Sequence, residues 1–341
     1  MDVRYGRVKW GPSGTRVKTS PSNWRNPLKW DKWARTGVCY YCHGKSLKDT
    51  PGKCPVCSGT GNIGPYRARV FCASLADGCE EWRGPMLSHD LKNPQQLFTC
   101  SECGEFTALE GESLWEQAED EDGQNVFLCH GKNTHKTIRV RPTTMDDLRA
   151  RLWPIVKQTT NLDWLMLTKR ADRIGLVPHY PNVWMGVTIE GDGFKDGHGT
   201  VVDRWYDHLS QANQFAVRWI SYEPALSRLD ISKWETVPDW IIIGGESNQS
   251  NPARPFDIEW CREAVRQCRG RGVVPFVKQL GSHVIDPGAT AAHSFPETQC
   301  WPPNTKVNVQ RILLKDRAGA DPSEWPADLR VREFPDAMVP A

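Results

Sequence analysis

The sequence predicts an α/β fold built around a parallel β-sheet. Six short apolar runs of strand length recur along the chain, and each ends abruptly in small or charged residues. The runs are rich in Val, Ile, Trp and Phe and lack strict alternation, as expected for strands buried on both faces of a parallel sheet. Helix-like segments lie between most of the runs. This alternation of strands and helices is typical of α/β proteins.

The predicted strands and helices follow in order along the chain. The six strand-like runs are residues 69–74, 163–170, 182–190, 217–224, 239–247 and 274–279. The clearest helix-like segments are residues 145–157 and 258–269. The fifth run, DWIIIGGES, is the most informative, because a fully apolar strand passes directly into two glycines and a glutamate.

Charged and polar residues stand at the carboxyl ends of the predicted strands, where α/β folds bind their ligands. We expect these residues to converge on one mouth, with five of them as candidate catalytic residues: Lys169, Arg170, Glu190, Glu223 and Lys278. The two lysines and the arginine can pair with an anionic substrate or a phosphate, and the two glutamates can balance them. Two alternatives stay open, namely strand ends that become polar on meeting solvent and a ring of salt bridges across the mouth.

The GGES segment is the candidate cofactor-binding loop. Gly244 and Gly245 allow close backbone approach to a ligand. Glu246 can accept hydrogen bonds from an amine or a ribose hydroxyl, and Ser247 can cap the next segment or contact a carboxylate. Arg254, shortly after this turn, can reach back to the mouth. The alternative is a tight turn from strand to loop.

Length and composition bound the remaining possibilities. The 341 residues suit one large domain with insertions or two modest domains, and 43 Lys plus Arg against 41 Asp plus Glu demand no nucleic-acid partner through bulk charge. Packing explains the 16 Trp better than base stacking does. The chain has no apolar run long enough to span a membrane and no signal-peptide core at its start. We therefore expect a cytoplasmic protein, in which 12 cysteines indicate metal binding instead of disulfides.

Four cysteines form two knuckles, CYYC at residues 39–42 and CPVC at residues 54–57. At this spacing Cys39, Cys42, Cys54 and Cys57 can bind one tetrahedral Zn²⁺ ion as thiolates. Glycines after each knuckle allow the tight turn that aims backbone N–H groups at the sulfur atoms. Four free buried cysteines are the alternative, which the polar flanks disfavour. The second knuckle, CPVCSGTG, resembles the CxxCxGxG zinc repeat of the J-domain chaperones.

A second, zinc-ribbon-like candidate is less regular. Its ligands would be Cys100, Cys103 and Cys129, with His130 or His135 as the fourth. A degenerate ribbon without metal is the alternative. Both cysteine groups interrupt the α/β pattern, and metal clips suit small insertions that lack a core of their own. The predicted organisation is a Trp-rich segment (1–38), a zinc-knuckle insertion (39–61), the first strand region (62–96), a ribbon-like insertion (97–137), the barrel core (138–285) and a C-terminal tail (286–341).

The ordered motifs resemble a known family. SNWRNPLKWDKWA, RVFCASLAD, LDWLMLTKR, PNVWMGVTIE, RWISYEPAL, DWIIIGGES, ARPF and VPFVKQLG occur in that order, followed by DRAGADPSEWPADLRVREFP. This series closely resembles a phage and prophage family of uncharacterised proteins, named for mycobacteriophage products gp thirty-seven and gp sixty-eight and also called the three-Cys-motif family. The resemblance covers most of the chain outside the two cysteine insertions.

The resemblance implies a partial, TIM-like (β/α) barrel similar to that of radical S-adenosylmethionine enzymes. Family members typically carry a Gly-Cys … Gly-Cys-x-x-Cys-Tyr-Ala segment, which looks like the cluster-binding loop of those enzymes. The resemblance implies that its three cysteines hold a [4Fe–4S] cluster, whose open iron binds the amino and carboxylate groups of S-adenosylmethionine. A GGE sequence often holds the methionine amine there, but it follows an early strand, whereas Gly244–Glu246 follows a late one.

This sequence departs from the family at the cluster segment. GCxxCYA is absent, and the nearest spelling, VCYYCHG at residues 38–44, belongs to the four-cysteine pattern. Three explanations stay open. A neighbouring reading frame, and so a partner chain, supplies the cluster loop, or the start codon has been misplaced. In the third, the loop has been lost and the chain is a non-catalytic remnant. We expect a phage-encoded enzyme of the host cytoplasm that acts on a nucleotide or nucleic-acid base. The alternative is a non-catalytic zinc-binding module for nucleic acid or a protein partner.

Overall fold

The computed structural model describes most of the chain, in two compact units. The described residues are 16–17, 19–45, 54–72, 78–82, 84, 86–87, 95–100, 106–108, 115–119, 125–129, 140–192, 195–196, 199–248, 252–287 and 310–336. One unit comprises Met1–Arg69 with Glu80–Asp163, and the other comprises Val70–Cys79 with Trp164–Ala341. The predicted domain boundaries are finer than this division and stay predictions.

The strands and helices are numbered in chain order. The strands are β1 (Arg16–Val17), β2 (Ala68–Cys72), β3 (Met86–Leu87), β4 (Leu97–Cys100), β5 (Phe106–Ala108), β6 (Trp115–Glu119), β7 (Asn125–Cys129), β8 (Val140–Pro142), β9 (Leu162–Thr168), β10 (Val183–Thr188), β11 (Lys195–Asp196), β12 (Gly199–Thr200), β13 (Val217–Tyr222), β14 (Trp240–Gly244), β15 (Phe256–Asp257), β16 (Val274–Gln279), β17 (Val284–Asp286) and β18 (Gln310–Ile312). The α-helices are α1 (Pro21–Thr36), α2 (Met145–Gln158), α3 (Val201–Ala212) and α4 (Ile258–Arg271). Short 3₁₀ helices span Ala171–Leu176, Pro322–Glu324 and Ala327–Leu329.

All six predicted strands lie in one six-stranded sheet. Its order is β2-β9-β10-β13-β14-β16, and the pairs from β9 onward are parallel. The spatial order of the strands is therefore their order along the chain, without the reversal that marks a doubly wound sheet. The sheet curls into a half-barrel, and among the described residues its end strands β2 and β16 do not pair with each other.

One face of this sheet is packed with aromatic rings and is called the aromatic face below. Trp219 contacts Trp240 and Phe71, with ring centroids 5.7 Å apart in each pair, and Trp240 also contacts Trp184 and Phe276. The three tryptophans are fully buried. All three belong to one buried hydrophobic cluster, which confirms the prediction that tryptophans serve packing for these three residues.

A C-terminal segment covers the outer edge of β16. The backbone N–H of Val277 donates to the carbonyl of Val331 at 2.7 Å, and Phe276 forms an antiparallel bridge with Arg332. Phe334 then packs on the rings of Trp240 and Phe276. This cover satisfies backbone groups that an open sheet edge would leave exposed.

Helices α3 and α4 pack against the sheet of the second unit, α3 on β10 and α4 on β14 and β16. Asp257 caps α4 by accepting a hydrogen bond from the backbone N–H of Glu259, and Gly272 ends the helix in the left-handed conformation. Cys261 and Cys268 lie seven residues apart on the buried side of α4. The predicted helix at 258–269 is thus confirmed, as is the one at 145–157, which is α2 of the first unit.

In the first unit α1 packs against α2, whose start carries a complete capping box between Thr144 and Asp147. Strands β4, β5 and β8 form a small antiparallel sheet, and β6 pairs with β7. The side chain of Asp31 in α1 accepts a hydrogen bond from the backbone N–H of Asn161 at 2.8 Å. No helix among the described residues combines the length and apolar character needed to cross a membrane.

Candidate metal centre and candidate active site

The four cysteines of the two knuckles meet in the first unit. Their sulfur atoms all lie within 4.8 Å of one another, with 3.8 Å between Cys39 and Cys54 and 3.6 Å between Cys42 and Cys57. A tetrahedral ion with metal–sulfur bonds of about 2.3 Å places its sulfur ligands about 3.8 Å apart. The cysteine group therefore has the geometry to hold a tetrahedral metal ion, as the sequence predicts.

The two knuckles repeat the same backbone path. His43 donates its backbone N–H to the carbonyl of Cys39, and Ser58 donates to the carbonyl of Cys54 in the same way. His43 and Ser58 both adopt positive φ, at 56° and 51°, which is uncommon for residues other than glycine. The turns aim backbone N–H groups inward, and that of Gly61 donates to the sulfur of Cys57 at 3.3 Å. The repeat explains why a small or polar residue follows the second cysteine of each knuckle.

The environment of Cys57 favours its thiolate form. Desolvation raises the pKa of this thiol, but hydrogen bonds from Cys54 and from the backbone of Gly61 outweigh it and lower the pKa to about 6. Thiolate sulfur is the form that coordinates metals. The two knuckles are also joined by their backbones, because the N–H of Cys39 donates to the carbonyl of Gly61. The N–H of Ile63 donates to the carbonyl of Gly37, which caps α1.

The second predicted zinc site is not tested by the structure. Cys100 is buried at the end of β4, and Cys129 ends β7 in a different sheet. Cys103, His130 and His135 lie outside the described residues. The ribbon-like site at these positions stays a prediction.

In the second unit the strands of the half-barrel end at one edge, called the carboxyl edge below. Lys169 follows β9 and forms an ion pair with Glu190, which follows β10. The second carboxylate oxygen of Glu190 accepts from Arg204 of α3 at 2.9 Å, and Arg204 also donates to the carbonyl of Thr188. Glu190 and Arg204 are almost fully buried, whereas the side chain of Lys169 is 44% exposed. The buried pair thus holds a half-exposed lysine at the edge.

A second lysine is held in the same manner. Lys278 at the end of β16 pairs with Glu223 at 3.1 Å, and Ser221 donates to the same carboxylate. Glu223 reaches across β14 because Gly244 lacks a side chain, and a β-carbon there would lie 2.5 Å from the Glu223 carboxylate. A register shift between β14 and β16 at this point leaves Lys278 as the extra residue, and such bulges re-aim side chains. Lys278 is 50% exposed.

The structure resolves the predicted charges into two pairs. Lys169 pairs with Glu190, and Lys278 pairs with Glu223. Arg170 begins the 3₁₀ helix Ala171–Leu176, and its backbone N–H donates to Thr168. Its predicted catalytic role stays a prediction, as do the roles of the other four residues.

The glycines and the glutamate of the GGES segment contact other parts of the chain. A β-carbon on Gly245 would lie 2.1 Å from the carbonyl oxygen of Leu280, so this glycine permits the close approach of two backbones. Both carboxylate oxygens of Glu246 accept hydrogen bonds from the guanidinium of Arg254, at 2.9 and 3.0 Å. Arg254 therefore does reach back to this segment, as the sequence suggests. The assignment of Gly244, Gly245, Glu246 and Ser247 to cofactor binding stays a prediction.

Sequence reasoning missed Arg204, which holds Glu190. A signal was present, because Arg204, His208 and Ala212 recur every four residues on one face of α3 and all three are buried. His208 donates from Nε2 to the carbonyl of Met185 at 3.1 Å, and burial lowers its pKa to about 3. When an arginine or histidine occurs at the positions that face the core along a helix, its side chain is expected to make a buried polar contact.

A three-cysteine cluster does not fit the carboxyl edge as described. Over the described ranges, the cysteine group at residues 39–57 is the one set of His, Cys, Asp and Glu side chains close enough to share a metal ion. Its four sulfurs belong to the two knuckles of the first unit. The described residues of the second unit therefore offer no set of three cysteines for a [4Fe–4S] cluster.

Comparisons with known proteins place the chain in a family. Neither the curated proteins nor the solved structures gave a match. A family model described as "Protein of unknown function (DUF5131)" matches residues 65–312, which include every strand of the half-barrel. The chain belongs to this DUF5131 family of proteins of unknown function.

Proposed function

We propose that this protein is a partial (β/α)-barrel enzyme that binds an anionic ligand at the carboxyl edge of its half-barrel. One observation carries the proposal: two half-exposed lysines, Lys169 and Lys278, are each held at this edge by a more deeply buried glutamate. Parallel sheets of this kind bind their ligands at this edge. A nucleotide is the ligand class that we favour, because its phosphate offers several acceptor oxygens to two separate cations.

The glutamates act as positioning residues in this proposal. Glu190 and Glu223 fix the lysine side chains, which otherwise lose considerable rotamer entropy when a ligand binds. About half of each lysine side chain is exposed, which leaves room for a phosphate or carboxylate oxygen to approach it. Mutation of either glutamate is therefore expected to weaken ligand binding without removing a direct contact.

Kinship with the phage gp thirty-seven and gp sixty-eight proteins, and through them with radical S-adenosylmethionine enzymes, is the finer form of the proposal. The ordered motifs support it, and so does a parallel half-barrel whose strands follow chain order. Radical chemistry would require a cluster supplied from outside the described residues, for which a partner chain in the host cytoplasm is the proposed source.

We also propose that Zn²⁺ is the ion of the four-cysteine group. Four thiolates in a closed tetrahedral arrangement are typical of structural zinc, and sulfur–sulfur distances of 3.6 and 3.8 Å suit that ion. The role of zinc would be structural, because a closed site keeps no position open for a substrate.

Titration calorimetry with AMP and with S-adenosylmethionine tests the ligand site. We expect Lys169→Ala and Lys278→Ala each to weaken the binding of at least one of these ligands by about 10-fold, because each removes a charge-assisted hydrogen bond. Lys233→Ala, which changes an exposed lysine of the same unit, serves as the control. Equal affinities in the wild-type protein and its three variants would refute the proposed site, as would no binding of either ligand.

A further inference from the structure

Positive charge is concentrated near the amino end of the chain. Residues 1–69 contain 14 Lys and Arg against 3 Asp and Glu, a net charge of +11, whereas residues 70–341 contain 29 against 38, a net charge of −9. The balanced total of +2 conceals this asymmetry. Such a segregation of charge within one chain favours a polyanionic partner for the basic part.

Part of this charge forms a stripe along α1. Arg25, Lys29 and Lys32 are spaced by four and three residues, so they lie on one side of the helix, and all three are exposed. The opposite side, with Pro27 and Ala34, is buried in the protein. The one acidic residue of α1, Asp31, accepts its hydrogen bonds from Asn161 and does not neutralise the stripe.

Stacked rings connect the stripe to the first cysteine knuckle. The ammonium group of Lys29 lies 4.4 Å from the centre of the Trp33 ring, and Trp33 stacks on His43 with ring centroids 4.8 Å apart. His43 belongs to the turn that follows Cys42. The cations of α1 and the tip of the knuckle therefore form one continuous surface.

Two tyrosines stand exposed at the tip of the knuckle. The exposed fractions of Tyr40 and Tyr41 are 56% and 59%. Tyr40 contacts Tyr66 only at a ring edge, with centroids 5.8 Å apart. Neither ring is needed for the packing of the four sulfur atoms. Exposed aromatic rings beside a row of cations are the arrangement on which proteins stack the bases of single-stranded nucleic acids.

We propose that this α1–knuckle surface, formed by Arg25, Lys29, Lys32, Tyr40, Tyr41 and His43, binds single-stranded nucleic acid. The cations of α1 would contact successive phosphates, and the tyrosine rings would stack on unpaired bases. A membrane surface fits less well, because an interfacial helix needs one continuous apolar side free to enter the lipid. Opposite the stripe Pro27 and Ala34 are buried, and the exposed apolar residues Leu28 and Trp30 are two positions apart and so lie on different sides of α1. This inference is independent of the ligand site proposed for the half-barrel.

Fluorescence anisotropy with labelled 20-nucleotide oligo(dT) and oligo(U), on the full chain purified with zinc, tests the proposal. Arg25→Ala/Lys29→Ala/Lys32→Ala should weaken binding by about 10-fold or more and reduce the slope of log K against log salt by about 2, because each lost phosphate contact removes about 0.7. Tyr40→Ala/Tyr41→Ala should weaken binding by about 10-fold with the salt slope unchanged, because stacking is not ionic.

The matched control is Arg228→Ala/Arg266→Ala/Arg269→Ala, which removes three exposed cations from the second unit. It should bind both oligonucleotides like the wild-type protein, and circular dichroism confirms that each variant is folded. Equal losses from the control and the α1 variant would overturn the proposal, as would failure of the wild-type chain to bind either oligonucleotide. Tighter binding to phosphatidylserine vesicles than to oligonucleotides would overturn it in favour of a membrane surface.

Discussion

Gly186 shows how one missing side chain shapes the core of the half-barrel. Trp219 lies flat against this position and donates from its indole nitrogen to the carbonyl of Trp184 at 3.2 Å. A β-carbon on Gly186 would lie 2.3 Å from the indole ring, which is fully buried and has no room to move aside. Trp219 of β13 can therefore pack here only because residue 186 of β10 has no side chain.

We predict that Gly186→Ala lowers the free energy of unfolding by about 1–3 kcal/mol, the cost of overpacking a filled core. Gly270→Ala is the matched control, because nothing lies within 4 Å of a β-carbon at that exposed helical position. That control should gain about 0.5 kcal/mol from helix propensity. Urea denaturation measures both changes, and a neutral Gly186→Ala would contradict the packing described here.

Burial of His208 predicts sensitivity to acid. Desolvation lowers the pKa of His208 to about 3, and its ring stacks on Trp205. The unfolded chain binds a proton here below a pH of about 6.5, whereas the folded chain stays neutral, so acid favours unfolding. The contribution of neutral His208 to stability is complete above this pH and is lost as the pH falls towards 3.

The free energy of unfolding of the wild-type protein falls between pH 7 and pH 5. We predict that this fall is about 2 kcal/mol smaller in His208→Gln. Glutamine keeps a donor for the carbonyl of Met185 but does not titrate. His179→Gln, which removes an exposed histidine of the same unit, is the control. Denaturant titrations at the two pH values provide the measurement, and parallel losses in all three proteins would contradict the role of His208.

At the residue scale, the sequence indicates which side chains stand at the carboxyl edge but not how they pair. The apolar runs identify Lys169, Glu190, Glu223 and Lys278 because each lies at the end of a strand or just after it. The contact between Glu223 and Lys278 depends on Gly244 and on a bulge in the strand beside it. These features become visible only when three strands lie side by side.

At the element scale, the two cysteine knuckles are predictable because metal geometry restricts both spacing and flanking residues. Each CxxC knuckle is followed by the same kind of turn, with a positive φ at His43 in the first and at Ser58 in the second. The six strands are predictable because each is an apolar run of strand length that ends in small or charged residues. Short elements such as β15, β17 and β18 carry only two or three residues each and give no such pattern.

We predict that the purified chain carries about one zinc ion at the knuckles and that chelation loosens them. Cys57→Ser should lose the zinc and become sensitive to trypsin between residues 37 and 64, because metal binding supplies the folding energy of such small modules. Cys72→Ser, outside the knuckles, should retain both metal and protease resistance. Elemental analysis and limited proteolysis test this, and an intact metal-free knuckle would contradict it.

At the scale of the whole molecule, the chain order of the six strands determines which residues can form a site. In a singly wound parallel sheet every strand ends at the same edge, so residues 21 and 55 positions apart in sequence meet there in the two lysine–glutamate pairs. Bulk charge gives no hint of this arrangement, since it averages a basic amino-terminal part with an acidic remainder. The half-barrel therefore explains why charges scattered along the sequence form two ordered pairs.

Hydrogen–deuterium exchange with and without saturating AMP tests the central claim, a ligand site at the carboxyl edge. We predict protection of peptides that cover residues 168–176 and 277–283, which follow β9 and β16, with no change in residues 21–45. Protection confined to residues 21–45, or no protection anywhere, would contradict an anionic-ligand site in the half-barrel.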